Sequence, residues 1–289
     1  MNHYESKSCH KATSDLPCEA ELVTKDGCEN FNNHVVLEGM SSISALINGI
    51  RTGINQRKIH QILFDEQKNK SKQKELHFLK SVQGEFGFEL SFVHENVIDR
   101  VSSGKTHGGI VALCTDRPLP LLSEEALNSP PWNLSDGFFV LLEGIEDPYN
   151  FGYILRSLYA AGVDGVILPE RNWMSAAGVV ARSSAGASEL LELISGDADR
   201  AVSFLKSKGY RVVCAGIRDS VSTIQADLKR PILLVIGGEK RGISRSVLDR
   251  ADQIVRIDYG REFRGSLSAS AAAAVLAFEV LRQNQSEVE

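Results

Sequence analysis

Ile232-Leu233-Leu234-Val235-Ile236 runs directly into Gly237-Gly238-Glu239-Lys240-Arg241-Gly242-Ile243, and this stretch decides how the rest of the chain is read. An unbroken apolar run is the pattern of a strand covered on both faces, as in a parallel sheet. The glycines that follow let a ligand approach bare backbone, because glycine has no Cβ and tolerates positive φ. A second short run, Gln253-Ile254-Val255-Arg256-Ile257, leads to a loop from Asp258 to Gly265. Ser266-Leu267-Ser268-Ala269-Ser270 and an alanine-rich helix ending near Arg282 come next. Two such loops, close in sequence, point to one pocket built from both.

Familiar glycine loops can be tested against this one. A phosphate-cradling loop needs Lys and then Ser or Thr after its last glycine, whereas Gly242 is followed by Ile243 and Ser244. The dinucleotide fingerprint G-x-G-x-x-G is not matched either, which disfavours a nucleotide-dependent oxidoreductase. Taken alone, the glycine pair reads as an ordinary strand-to-helix turn.

Outward from this stretch, strands and helices alternate. Gly137 to Leu142 is another continuous apolar strand, followed by the turn Asp147-Pro148-Tyr149-Asn150. Tyr153 to Ala161 reads as a helix, with Gly152 and Arg156 one turn apart on one side, so that Arg156 is expected to face the pocket. Strands at 163–168 and 210–214 and helices at 175–184 and 200–208 complete the half. The expected fold is α/β with a mostly parallel sheet over residues 137–289.

Upstream, Val35-Val36-Leu37 reads as a strand and Ser41 to Gly53 as a helix with Ile43, Leu46, Ile47 and Ile50 on one face. A strand at 59–64, a helix at 75–86 and a strand at 89–93 make residues 34–117 a small α/β domain. Its basic residues, Arg51, Arg57, Lys58, Lys68, Lys70, Lys72, Lys74 and Lys80, are candidates for a phosphate-facing patch or an ordinary solvated face. Residues 118–136, with Pro118, Pro120, Pro130 and Pro131, read as a linker. Residues 1–33 lack hydrophobic periodicity and read as a flexible tail.

A net charge of -5 does not advertise a nucleic-acid binder, so any RNA contact has to come from local patches. The 5 cysteines match no disulfide scaffold or zinc spacing; Cys9, Cys18 and Cys28 sit in the tail, and Cys114 and Cys214 in strand-like runs. No metal site is expected. With no stretch apolar enough to span a bilayer and no signal-peptide core, the expected location is cytoplasmic.

Three motifs in order resemble those of the SpoU-type (TrmH-like) RNA 2′-O-methyltransferases of the SPOUT superfamily. The first is Asp147-Pro148-Tyr149-Asn150-Phe151-Gly152-Tyr153-Ile154-Leu155-Arg156, similar to D-P-x-N-x-G-x-[IL]-x-R. The second, G-x-E-x-x-G-[LIM], is matched by Gly237, Glu239, Gly242 and Ile243. The third is Ile257-Asp258-Tyr259-Gly260 followed by Ser266-Leu267-Ser268, against I-P-M and S-L-N in the family. His107-Gly108-Gly109-Ile110-Val111-Ala112 resembles the stretch closing the family's RNA-binding domain, and Arg182 to Ala187 its small-residue stretch on the substrate side.

The resemblance, from about Val35 to Gln283, implies a C-terminal trefoil knot holding S-adenosylmethionine, an L30e-like RNA-binding domain in front of it, and a homodimer. Carried onto this chain, main-chain groups at Ala215, Gly237, Ile257 and Leu267 are expected to hold the cofactor. Arg156, Asn150, Glu239, Ser266 and Ser268 are expected to serve catalysis, and Arg51, Lys58, His107, Arg261 and Arg264 to contact rRNA or tRNA. Arg156, always protonated, suits stabilisation of charge on the attacking ribose oxygen rather than proton abstraction. The family's Asn is Ser268 here, which leaves a non-catalytic RNA-binding protein of the same fold as the alternative.

Overall fold

A computed structural model describes residues 34–285 and the backbone of residues 21–24 and 27–30. Those last two segments pair as an antiparallel ribbon, β1 (Glu21–Thr24) with β2 (Gly27–Asn30). The flexibility expected for the rest of the tail falls outside the described residues.

The first half contains β3 (Val35–Glu38), α1 (Gly39–Arg51), β4 (Ile59–Asp65), α2 (Gln73–Phe86), β5 (Glu89–Val93), α3 (Glu95–Val101) and β6 (Ile110–Cys114). Its four-stranded sheet has the order β3-β6-β4-β5, with β4 and β5 parallel and the other pairs antiparallel. The apolar stripe of α1 supplies Ile43, Leu46 and Ile47 to a core shared with Leu37, Phe64 and Ile110. Each fully buried side chain of this size contributes about 1.5–3 kcal/mol.

The joining stretch carries α4 (Glu124–Leu127), and it is packed rather than loose. Leu122, Leu127 and Trp132 are buried in the core of the second half, where Trp132 stacks on Phe139 at 5.0 Å between ring centres.

The second half follows as β7 (Phe138–Glu143), α5 (Pro148–Ala160), β8 (Gly165–Leu168), α6 (Ala177–Ser183), β9 (Leu193–Ser195), α7 (Ala198–Ser207), β10 (Arg211–Ala215), β11 (Val221–Ser222), β12 (Ile232–Gly237), α8 (Arg245–Leu248), β13 (Gln253–Arg256) and α9 (Ala269–Asn284). The seven-stranded sheet is parallel throughout, in the order β11-β13-β10-β12-β7-β8-β9. Its two faces bury alternate residues: Phe138, Val140 and Leu142 face α5 and α9, while Phe139 and Leu141 face α7 and the joining stretch. This is why the strands read as unbroken apolar runs.

The two halves meet along a seam of buried charge. Glu189 Oε2 accepts from Asn55 Nδ2 at 2.6 Å and from Arg57 Nε at 2.9 Å, and both charged side chains of the ion pair are 0% exposed. Arg117 donates to the carbonyls of Ser188, Leu191 and Ile54. Arg182, on α6, donates to Glu38 of the first half at 3.0 Å. Arg57 is therefore not part of a phosphate-facing patch. The small-residue stretch after α6 belongs to this seam as well: Gly186 has φ +88°, and a Cβ there would overlap that of Ala45 on α1.

Candidate active site

The first motif is a helix start with a physical explanation. Asp147 is the N-cap of α5, accepting from the Asn150 N–H at 2.6 Å, and Pro148 occupies the first helical turn, where its missing N–H costs nothing. The helix begins earlier than apolar periodicity indicated because this cap, not the stripe, sets its start. Its buried face carries Phe151, Gly152, Ile154, Leu155 and Leu158. A side chain on Gly152 would overlap Ser183 Oγ, so glycine allows α5 and α6 to lie close together.

The second motif is a close backbone approach. A Cβ on Gly238 would overlap the Gly144 carbonyl, and Gly238 N donates to Glu143 O at 2.8 Å. The loop after β7 and the loop after β12 are thereby held together at the C-terminal ends of adjacent strands. In open α/β sheets, ligands bind at these ends.

A cavity of about 570 Å³ opens at the ends of β10, β12 and β13, roofed by the loop to α9. Ala215, Gly237, Ile257 and Leu267, the four expected cofactor positions, all line it, with Ile236, Val255 and Leu276 as apolar wall. Glu239, Ser266 and Arg264 line it too. A smaller cavity of about 200 Å³, lined by Asn150, Glu146 and Lys240 among others, shares Gly238, Glu239 and Ala269 with the large one.

Glu239 spans the second and third motifs, because its Oε1 accepts from Ala269 N, the first residue of α9, at 3.2 Å. Negative charge is favourable at a helix N-terminus. Ser268 is the α9 N-cap, accepting from Ala271 N at 3.2 Å. Ser268 Oγ also lies 3.0 Å from Ser270 Oγ, which donates to Asn150 Oδ1 at 3.2 Å. Ser270 is not among the expected site residues; its signal in the sequence is a second hydroxyl two residues beyond the α9 cap.

Where the family has Pro-Met, this chain uses side-chain bonds. Asp258 accepts from Ser222 Oγ and, at 3.0 Å, from Arg256 Nε. These two donors hold its carboxyl below the usual range, the serine hydroxyl more strongly than the guanidinium. Tyr259 rests edge-on against Phe263 at 5.6 Å, and its hydroxyl accepts from Leu267 N at 3.1 Å. The roof is thus tied at both ends, while Phe263, Arg261 and Arg264 remain exposed.

Arg156 corrects an expectation. It is exposed and lines neither cavity of its own chain. Four residues of α-helix turn through about 400°, so Arg156 lies about 40° round from Gly152, past the buried edge. It shares the outer side of α5 with the exposed Tyr149 and Tyr153; α9, which carries the exposed Val275 and Phe278, packs along α5.

His107 is the other correction. Its ring is buried, with Nε2 2.9 Å from Asp99 and Nδ1 accepting from Gly109 N at 3.0 Å, so both nitrogens shape the turn and none is left for RNA. Arg51 is paired with Glu85 at 2.6 Å, and Lys68 with Asp65 and Glu95. Lys58, Lys70, Lys74 and Lys80 are exposed. Among the described residues, no group of His, Cys, Asp and Glu could hold a metal, and no helix is long and apolar enough to cross a membrane.

Residues 137–278 match the SpoU rRNA Methylase family, and residues 36–120 match the family described as RNA 2′-O ribose methyltransferase substrate binding. A 23S rRNA (guanosine-2′-O-)-methyltransferase, RlmB, of Shewanella oneidensis is 31% identical over 202 residues, covering 70% of this chain and 81% of the relative. RlmB of Pasteurella multocida is 30% identical over 199 residues, covering 68% and 80%. Among solved structures, an RNA 2′-O ribose methyltransferase superposes with a TM-score of 0.70 at 24% identity, over 87% of this chain and 89% of the other. An AdoMet-bound rRNA methyltransferase from Sinorhizobium meliloti has the same fold, with a TM-score of 0.70 at 22% identity over 88% and 89%.

Proposed function

This chain belongs to the SpoU rRNA methylase family, and from that premise we propose that it methylates a ribose 2′-OH of rRNA or tRNA using S-adenosylmethionine. The observation that carries this reading is the convergence of Ala215, Gly237, Ile257 and Leu267 on one cavity. The residues fit the cofactor: apolar side chains that could flank a base, residues at strand ends whose main chain could bond it, and the Glu239 carboxylate, which could counter a positive charge. When bound, the cofactor supplies an electrophilic methyl group. The protein's task is to hold a ribose oxygen in line with it and stabilise the charge that develops there.

In this reading the seam holds the RNA-binding half, residues 34–117, in fixed orientation to the catalytic half, residues 137–289, across the joining stretch 118–136. Lys58, Arg261 and Arg264 contact RNA phosphates. The end of the chain forms the trefoil knot, with the roof loop and α9 folded against the loops that follow β7 and β12; the bond from Ala269 to Glu239 supports this.

The exposed α5–α9 face, with Tyr149, Tyr153, Val275 and Phe278, is where a second copy docks, making a homodimer in which Arg156 reaches the partner's cavity. Aromatic residues are enriched at such interfaces. The location is cytoplasmic, in keeping with the buried free thiols of Cys114 and Cys214.

Two measurements test the reading: calorimetry with S-adenosylmethionine, and transfer of labelled methyl groups to RNA from cells lacking the protein, with the modified ribose mapped. Saturable binding and a single new 2′-O-methyl position are expected. Neither binding nor incorporation would sink the proposal.

A further inference from the structure

The hydroxyl pair at the start of α9 touches the first motif, and the direction of its bonds can be worked out. The acceptor of the Ser270 bond is Asn150 Oδ1, an amide oxygen with no proton to give, so Ser270 spends its only proton there. The 3.0 Å bond between the two serines must then run from the Ser268 hydroxyl to Ser270 Oγ. Ser268 Oγ in turn accepts from Ala271 N, which ties the chain of bonds to the backbone of α9. With its oxygen occupied, Asn150 keeps both amide N–H donors for the small cavity that it lines beside the cofactor cavity.

We propose that Ser270, acting with Ser268, is a positioning residue that fixes the Asn150 amide with its NH2 directed at the oxygens of the acceptor ribose. The proposal rests on the methyltransferase reading above. It also accounts for the departure in the third motif: two short hydroxyls in series bridge from the α9 cap to Asn150, and Ser268 takes part as the first of them. Because both serine protons are committed, the pair takes no proton from the 2′-OH; it orients.

The test is a double-mutant cycle with an independent structural readout. Ser270→Ala should lower kcat for methyl transfer by roughly ten- to a hundredfold, the range for lost alignment of one reacting group. Its S-adenosylmethionine Kd should stay within about twofold of wild type, since Ser270 lies outside the large cavity. Ser270→Thr, which keeps the hydroxyl, should restore most of kcat. In an Asn150→Ala background, Ser270→Ala should cost almost nothing more, because the group it orients is gone.

Full additivity of the two substitutions, or an unchanged kcat in a folded Ser270→Ala protein, would overturn the assignment. The Asn150 side-chain amide resonances provide the readout that does not depend on turnover. They should shift in Ser270→Ala and not in Ser270→Thr, and an unmoved amide in Ser270→Ala refutes the relay whatever the activity. A wild-type protein with no methyl transfer but with the expected amide shift would place the failure in the functional reading and leave the relay standing.

Discussion

The seam between the two sheets and the roof over the large cavity both carry arginines, and they use them in opposite ways. In the seam, Arg57 is fully buried against Glu189, and Arg117 donates to three carbonyls. In the roof, Arg261 and Arg264 are exposed and have no ion pair among the described residues. A buried, bonded guanidinium locks two surfaces, because parting them leaves a charge in low dielectric. An exposed one keeps its hydration and is free to exchange partners. The rigid region thus sets where RNA-binding and catalytic halves stand, and the adaptable one covers the place where a small molecule has to enter and leave.

The largest effect should come from breaking the seam. Glu189→Ala strands Arg57 and should destabilise the protein by about 3–5 kcal/mol, while replacing both partners with apolar residues of similar volume should cost far less. Chemical denaturation reads both; equal losses would mean that the pair is not what holds the halves. Next is Arg156, which belongs to neither region. Arg156→Ala should leave the melting temperature within a degree or two and cut methyl transfer roughly a hundredfold, about 3 kcal/mol in the transition state. Partial rescue by Arg156→Lys would indicate charge, and no rescue the planar fork. Unchanged transfer would remove Arg156 from the mechanism.

Two buried thiols, one in each half, sharpen the comparison. Burial pushes Cys114 and Cys214 from 9.0 up to about 12. A group whose folded pKa is raised contributes stability that is complete below its unfolded value and lost as pH rises through the folded one. Stability should therefore fall between about pH 9 and pH 12, with Cys114→Ala or Cys214→Ala flattening that limb relative to its own neutral-pH value. Equilibrium denaturation across this range would show it, and an identical alkaline limb in both variants would refute it. The smallest effect is expected in the roof. Tyr259→Phe removes the acceptor for Leu267 N and should weaken cofactor binding by about five- to tenfold, roughly 1 kcal/mol, with no change in melting temperature. A drop in melting temperature instead would make the roof a structural element like the seam.

The fold was largely legible because its strands are buried on both faces: Phe138–Glu143 and Ile232–Gly237 announce themselves as unbroken apolar runs. The glycine loop marked a close approach but not its partner: the room that Gly238 leaves is filled by the Gly144 carbonyl, not by a ligand. The seam was not. Asn55 and Glu189 lie 134 residues apart, and nothing local marks Glu189 as buried or Arg57 as its partner. The stretch from Arg182 to Ala187 was read by resemblance as flanking the substrate side, and nothing in its composition marks that Gly186 packs against α1. The exposure of Arg156 was not legible, because helical spacing gives its angle from Gly152 and not which way their shared edge faces. The β9 strand escaped notice because three residues, Leu193–Ser195, are too few for a period.

The position of the cavity along the chain has a consequence for biosynthesis. Its lining runs from Ala215 to Leu276, whereas the RNA-binding sheet is complete by Cys114. A ribosome releases the earlier half first, and domains fold as they emerge. A newborn chain therefore holds every strand of the first sheet before it has anywhere to hold a methyl donor. The central strand pair compounds the delay, since β7 has to wait for β12, whose register places Phe138 opposite Ile232. Long-range pairings of this kind form slowly. Competence for chemistry thus comes late in synthesis, and a ribosome stalled before Leu276 would leave the cavity without its last wall.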